Sequence, residues 1–413
     1  MDFSHSPKIE ELRGRLESFM NQHVYPADRA YHELAARHIY PLEIIEPLKR
    51  EARARGLWNL FLPSLAPDEP GTALSHVEYA PLAEVMGRVP WASEVFNCSP
   101  PDTGNMEVLH RFATPQQRER WLNPLLEGVT RSGISITEPD VASSDPTNLQ
   151  TSIRREADNY LINGRKWFTT NALHPNFAFT LLMGVSDDRP DADPHLRHSI
   201  IIVPKGAAGF EIVRDVPIMG YHSPEGHCEV SFTNVRVPTT HLLGEEGKGF
   251  AIAQARLGPG RIHHCMRTIG QCELALEMMC DRALVRRTFG HVLAENANIR
   301  DWIAESRLEI EQARLLNLKA AWAMDTLGNK GARTAVSLIK VAAARLQTRV
   351  VDRAMQVFGA KGLSDDTPLA YLWAWGRALR IIDGPDEVHL RGIAREELAA
   401  AQTRARTTGA LSE

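Results

Sequence analysis

The apolar positions of this chain change their period twice along its length. Up to about residue 128 they recur at helical spacing. Ser6-Pro7 reads as the cap and first position of a helix on which Ile9, Leu12, Leu16 and Phe19 share one face. HELAARHIYPLEIIEPLKREARARGLWNLF keeps that spacing, with a break at Pro41 and Gly56 near an end. Pro63, Pro67, Pro70 and Gly71 mark a loop. ALSHVEYAPLAEVMGR (73–88) predicts a further helix, and PQQRERWLNPLLEG (115–128) a short one closed by Gly128.

Near Val129 short runs of β-branched and aromatic residues begin to alternate with turn residues. In DNYLINGRKWFTTNA (158–172), Asn163-Gly164 sits between apolar runs and predicts a hairpin turn. FAFTLLMGV (177–185), HSIIIVP (198–204) and HCEVSFTNVRVP (227–238) predict strands. The spacing suggests a compact antiparallel barrel or sandwich between roughly 129 and 243. From Gly249 the helical period returns over about 249–288, 298–327, 333–358 and 368–380, with a last helix after 384. Gly328–Gly331 and Gly359–Gly362 break these helices, and the set suggests a bundle. The expected fold is α+β multidomain: an all-α domain over 1–128, a middle antiparallel β-barrel domain over 129–245 and a C-terminal four-helix bundle over 246–413.

Composition narrows the function. A chain of 413 residues is long for one core. A formal net charge of −4 offers no basic footprint for nucleic acid or an anionic membrane. Five cysteines without a CxxC pair suit a reduced, intracellular protein, here expected in the cytoplasm. The N-terminus has early acids and no apolar core of signal-peptide length, and no run of about 18 apolar residues suggests a membrane span.

The common chemical signatures are missing. No GxGxxG follows a strand, and neither GxxxxGK[ST] nor GxSxG occurs. LLGEEGKGF (242–250) reads as a loop entering a helix, because its acids would repel a phosphate. His263-His264-Cys265 lacks ligand spacing, since adjacent helix residues face different ways. Three polar stretches remain. TEPDVASSD (137–145) could hold an anion or a planar heterocycle, KWFTTN (166–171) sets aromatics beside hydroxyls, and RRTFG (286–290) sets two arginines near a helix end. Taken singly, each also fits a cap, a core aromatic or a solvated face. Asp383 before Gly384-Pro385 is, locally, a residue that opens a turn.

In order and at domain spacing, ITEPDVASSD, GRKWFTTNA, GYHSPEGHCEVSFTNVRVP through LLGEEGKGF, GPGRI, RRTFG, QVFGAKG and DGPDEVHLRGIARE make the whole chain resemble the acyl-CoA dehydrogenase family. TEPDVASSD and DGPDEVH resemble the subgroup of family members 10 and 11 and their bacterial relatives. The resemblance implies FAD bound between the β domain and the bundle, and α,β-dehydrogenation of an acyl-CoA to a trans-2-enoyl-CoA. Ile136 and Thr137 match positions at the flavin pyrimidine edge, Thr170 the partner of flavin N5, and Phe168 the usual Trp against the flavin. Ser144 matches a serine near the FAD phosphates and the thioester chain. Arg286, Thr288 and Phe289 match residues that reach a neighbour's FAD, and Gln356 and Gly359 border its adenosine half. A homodimer or homotetramer is thereby implied, with electron-transfer flavoprotein as electron acceptor.

Asp383 matches the family's catalytic base, usually Glu, which removes the substrate's α-proton. Some members place a Glu directly before a helix Arg; Gly260 stands there in this chain, before Arg261, itself matched to the CoA-binding mouth. The chain departs from the family at Phe168, Ala360 and Pro385, the last removing a backbone donor. Two other readings compete. A nitroalkane-oxidase-like flavin oxidase also uses Asp, but its pattern puts Arg where Leu390 stands here. A catalytically silent acyl-CoA-binding scaffold would suit the departures.

Overall fold

The computed structural model describes residues 4–408, which form two compact units. One holds residues 4–75 and 91–260, the other residues 76–90 and 261–408.

The first unit opens as the sequence predicts. The Ser6 hydroxyl accepts the Ile9 N–H at 3.4 Å, and helix Pro7–Phe19 buries Ile9, Leu12, Leu16 and Phe19. Helices Tyr25–Ala35 and Leu42–Ala54 flank Pro41, and Gly56 ends the second at φ 66°. Helix Asp102–Phe112, which no sequence signal had marked, follows. A helical run from Pro115 to Leu126 is closed by Gly128 at φ 70°.

Seven strands then form one sheet: β1 Arg131–Ser135, β2 Ser152–Glu156, β3 Asn159–Thr170, β4 Phe177–Val185, β5 His198–Pro204, β6 Phe210–Asp215 and β7 His227–Pro238. Their order is β1-β4-β2-β3-β7-β6, with β5 on β4. Most pairs are antiparallel; β4 runs parallel to β1 and meets β2 in parallel at Ser152–Val185. Ile153, Tyr160, Ile162, Leu182, Ile201, Val230 and Phe232 fill the core between its faces.

The expected hairpin at Asn163-Gly164 is not one. β3 runs straight through it, and the β2–β3 turn lies at Ala157-Asp158, with Ala157 at φ 50°. Gly164 instead marks a bulge against β7, at φ 157°. A Cβ there would lie 2.4 Å from Thr151 Oγ1 and 2.8 Å from Thr151 Cα, so a close backbone approach demands the glycine.

The second unit is helical. It contains the helical portion after Gly260 of Gly249–Val285, Ala297–Phe358 interrupted at Gly328 (φ 66°), Leu369–Leu379 and Asp386–Thr408. Helix His76–Gly87 belongs to it as well. The His76 N–H donates to Asp325 Oδ1 at 2.9 Å, and Arg314 Nε donates to Glu84 at 3.1 Å. Gly270 lets the two backbones touch, because a Cβ there would lie 1.9 Å from Glu84 O.

Candidate active site

In the second unit, a turn joins helix Leu369–Leu379 to helix Asp386–Thr408 and carries Asp383 at φ 57°. That left-handed backbone costs a non-glycine residue about 1 kcal/mol. Neighbours hold it in place. The Asp386 N–H donates to Arg380 O at 3.0 Å, and the Asp386 carboxylate accepts Arg380 Nε at 2.9 Å and Arg345 Nε at 3.1 Å. Arg261 Nε donates to the Asp383 carbonyl at 2.8 Å. Backbone and side chain are thus served separately, and the Asp383 side chain keeps 19% of its surface exposed.

Its Oδ2 lies 3.4 Å from His264 Nε2, and His264 Nδ1 lies 3.2 Å from Arg267 Nη2. Lys340 Nζ donates to Leu379 O at 2.5 Å, and His389 Nδ1 meets Ser337 Oγ at 3.2 Å. Burial pushes the Lys340 ammonium below its usual range, against the pull of Asp383. Burial likewise brings His389 down to about 4, so it is neutral at pH 7. Arg261, matched by resemblance to the substrate mouth, spends its Nε on the turn, and burial lowers its pKa while Asp383 opposes.

In the first unit, the turn after β1 carries Ile136 and Thr137. Lys166 Nζ donates to Ile136 O at 2.8 Å and to Glu138 Oε1 at 2.7 Å, and Glu138 also accepts the N–H groups of Gln150 (2.7 Å) and Thr151 (2.9 Å). Burial pushes Lys166 down to about 8, against Glu138; burial would raise Glu138, but Lys166 brings it below the usual carboxylate range. The Trp167 N–H donates to Thr137 O at 3.0 Å, which ties this turn to β3. Ser143 Oγ accepts the Glu138 N–H at 2.9 Å, and Ser144 beside it is exposed.

A second bulge, between Lys166 and Thr169, turns Phe168 outward at φ 53° and 40% exposed. Its ring meets Trp167 edge-on at 5.0 Å. The Thr170 hydroxyl lies 2.9 Å from His227 Nδ1, and His227 Nε2 lies 3.1 Å from Ser223 Oγ. Burial pushes His227 down to about 4, so this ring is neutral too.

The remaining expected residues lie on exposed ends of the second unit. Arg286 follows helix Gly249–Val285, and Thr288 and Phe289 belong to a hairpin of strands Arg287–Thr288 and His291–Val292. Phe289 stands at φ 50° and 101% exposed. Gln356 is exposed, and Gly359 ends helix Ala297–Phe358 at φ 64°.

Lys166, Glu138, His227, His264, Arg267, Lys340 and His389 were not singled out by sequence. Glu138, Lys166, His227 and His389 lie inside the quoted motifs, and His264 stood in His263-His264-Cys265, where the signal pointed to a metal. His263 turns away from its neighbour, stacks on His76 (5.8 Å) and meets Tyr79 edge-on (5.1 Å).

Three family models match the chain: the N-terminal domain of acyl-CoA dehydrogenases over 6–129, the middle domain over 133–235 and the C-terminal domain over 247–398. Probable acyl-CoA dehydrogenase FadE2 of Mycobacterium tuberculosis is 53% identical over 405 residues, 97% of each chain. Acyl-CoA dehydrogenase family member 11 of Gallus gallus is 49% identical over 404 residues; these are 96% of this chain and 51% of that protein, so the chain spans about half of that relative. A solved structure from Mycobacterium abscessus, titled as an acyl-CoA dehydrogenase, superposes with a TM-score of 0.91 at 48% identity, covering 97% of this chain and 100% of that one. The chain belongs to the acyl-CoA dehydrogenase family, with its N-terminal helical, middle β and C-terminal helical domains. Members of this family bind FAD and dehydrogenate acyl-CoA thioesters.

The residues present fit that cofactor. The Trp167 indole N–H has no hydrogen-bond partner among the described residues, beside an aromatic turned outward by a bulge and a threonine hydroxyl oriented by a buried histidine. A planar ring with polar edges suits such a donor set. Among the described residues no helix is long and apolar enough to cross a membrane.

Proposed function

We propose that this chain converts an acyl-CoA to its trans-2-enoyl-CoA, with the Asp383 carboxylate as the base that takes the α-proton. FAD, when bound, supplies the hydride acceptor at N5. Ile136, Thr137, Ser144, Phe168 and Thr170 would hold the flavin and its phosphates. Arg286, Thr288, Phe289, Gln356 and Gly359 would serve the FAD of a second copy, in a homodimer or homotetramer; a fully exposed Phe289 at a hairpin tip supports that reading. Ser144 and Arg261 would border the thioester, and electron-transfer flavoprotein would take the electrons. We assign the domains as 1–128, 129–245 and 246–413.

The observation that carries the reaction is the Asp383 turn. A carboxylate on strained left-handed backbone, with its carbonyl fastened by Arg261, is held for a purpose beyond opening a helix. Asp386 already does that work. As the α-proton leaves, charge builds on the thioester oxygen, and the Asp383 N–H donates to it. Asp is one methylene shorter than the family's usual Glu, so its reach depends on where the backbone is pinned.

Anaerobic addition of acyl-CoA to the yellow holoprotein tests the reading. Bleaching is expected, and Asp383→Asn should keep its flavin while bleaching roughly 100-fold or more slower. An unchanged rate would refute the base. Bleaching by nitroethane and not by acyl-CoA would replace the reaction with an oxidase's.

A further inference from the structure

We infer that His264, set in one tautomer by Arg267, is a positioning residue that orients the Asp383 carboxylate as the base. This rests on Asp383 being the base.

A guanidinium donates and cannot accept, so His264 Nδ1, 3.2 Å from Arg267 Nη2, is the acceptor. A neutral imidazole that accepts at Nδ1 carries its proton on Nε2. Nε2 lies 3.4 Å from Asp383 Oδ2. The separation is long for a hydrogen bond and typical of a catalytic contact before substrate arrives. With the His264 and Asp383 side chains 11% and 19% exposed, water competes weakly for either group.

Helix spacing makes this a two-point clamp. Arg261, His264 and Arg267 lie on one side of helix Gly249–Val285, three residues apart. Arg261 holds the Asp383 carbonyl while His264 faces its carboxylate. His263 is buried against Tyr79. Lys340, His389, Cys265 and Arg261 are the other titratable groups that the Asp383 charge acts on, and Asp386 is occupied by Arg345 and Arg380.

The test is stopped-flow bleaching of the holoenzyme by saturating acyl-CoA across pH 6–9. His264→Leu should lower the limiting rate on the order of tenfold, with flavin content and acyl-CoA affinity kept within about twofold. Its acid limb should move to higher pH, because a carboxylate stripped of a donor holds its proton more tightly. His264→Gln, whose amide reaches the same place, should recover most of the rate. Should His264→Leu yield no holoprotein, His264→Asn replaces it; its shorter amide cannot reach Oδ2, and a rate equal to that of the Gln variant overturns the inference. An unmoved rate and limb, or equal losses in Leu and Gln variants with the limb in place, also overturn it. If Asp383→Asn is inert while His264→Leu behaves as wild type, only the positioning role fails; if Asp383→Asn keeps full rate, the base assignment itself is lost.

Discussion

Arg261 Nε lies 2.8 Å from the carbonyl oxygen of Asp383, a contact across 122 positions of sequence. It fastens a backbone that would otherwise relax from φ 57°. The guanidinium acts on the turn and leaves the carboxylate to other partners.

Arg261→Met should therefore lower the limiting bleaching rate by about tenfold or more, with a smaller loss of acyl-CoA affinity from its place at the substrate mouth. Arg261→Lys should restore little, because an ammonium at the end of a flexible stem does not reproduce a planar Nε–H. Rapid-mixing titrations separate rate from affinity. A large rise in the dissociation constant at an unchanged limiting rate would assign Arg261 to the substrate instead.

Gly164→Ala should destabilise the β unit by about 2 kcal/mol or more. The new Cβ meets Thr151 Oγ1 at 2.4 Å and Thr151 Cα at 2.8 Å, at a φ of 157° that side chains rarely adopt. Differential scanning calorimetry should show a lower transition midpoint. An unshifted midpoint would mean that the bulge can open without cost.

Glu107 on helix Asp102–Phe112 is pushed up to about 8 by burial, against Arg256 and Arg111, and its Oε1 has no partner among the described residues. A carboxyl raised in the folded state contributes stability that is complete below its unfolded value of about 4.5 and is lost as pH rises through about 8. Between pH 6 and 9 the loss is roughly 3 kcal/mol. Glu107→Gln removes this dependence, so the difference in melting temperature between pH 6 and pH 9 should shrink. An equal difference in both proteins would contradict the assignment.

Local pattern determined much of this protein. Apolar spacing, Ser6-Pro7, Pro41 and the glycines at 56, 128, 328 and 359 settled where helices start and stop, and alternating β-branched runs settled β4, β5 and β7. The motifs around Ile136, Thr170, Arg286 and Asp383 were legible because each is a contiguous string. Tertiary structure decided the rest. It made Asn163-Gly164 a bulge under Thr151 where the dipeptide alone reads as a turn, and it drew helix His76–Gly87 into the bundle through Asp325 and Arg314. It also turned His264 from a rejected metal ligand into a neighbour of Asp383. The physical reason is range: periodicity and caps act over a few residues, whereas a close backbone approach, a tautomer set by a guanidinium or a carbonyl gripped from 122 positions away exists only once distant segments have packed.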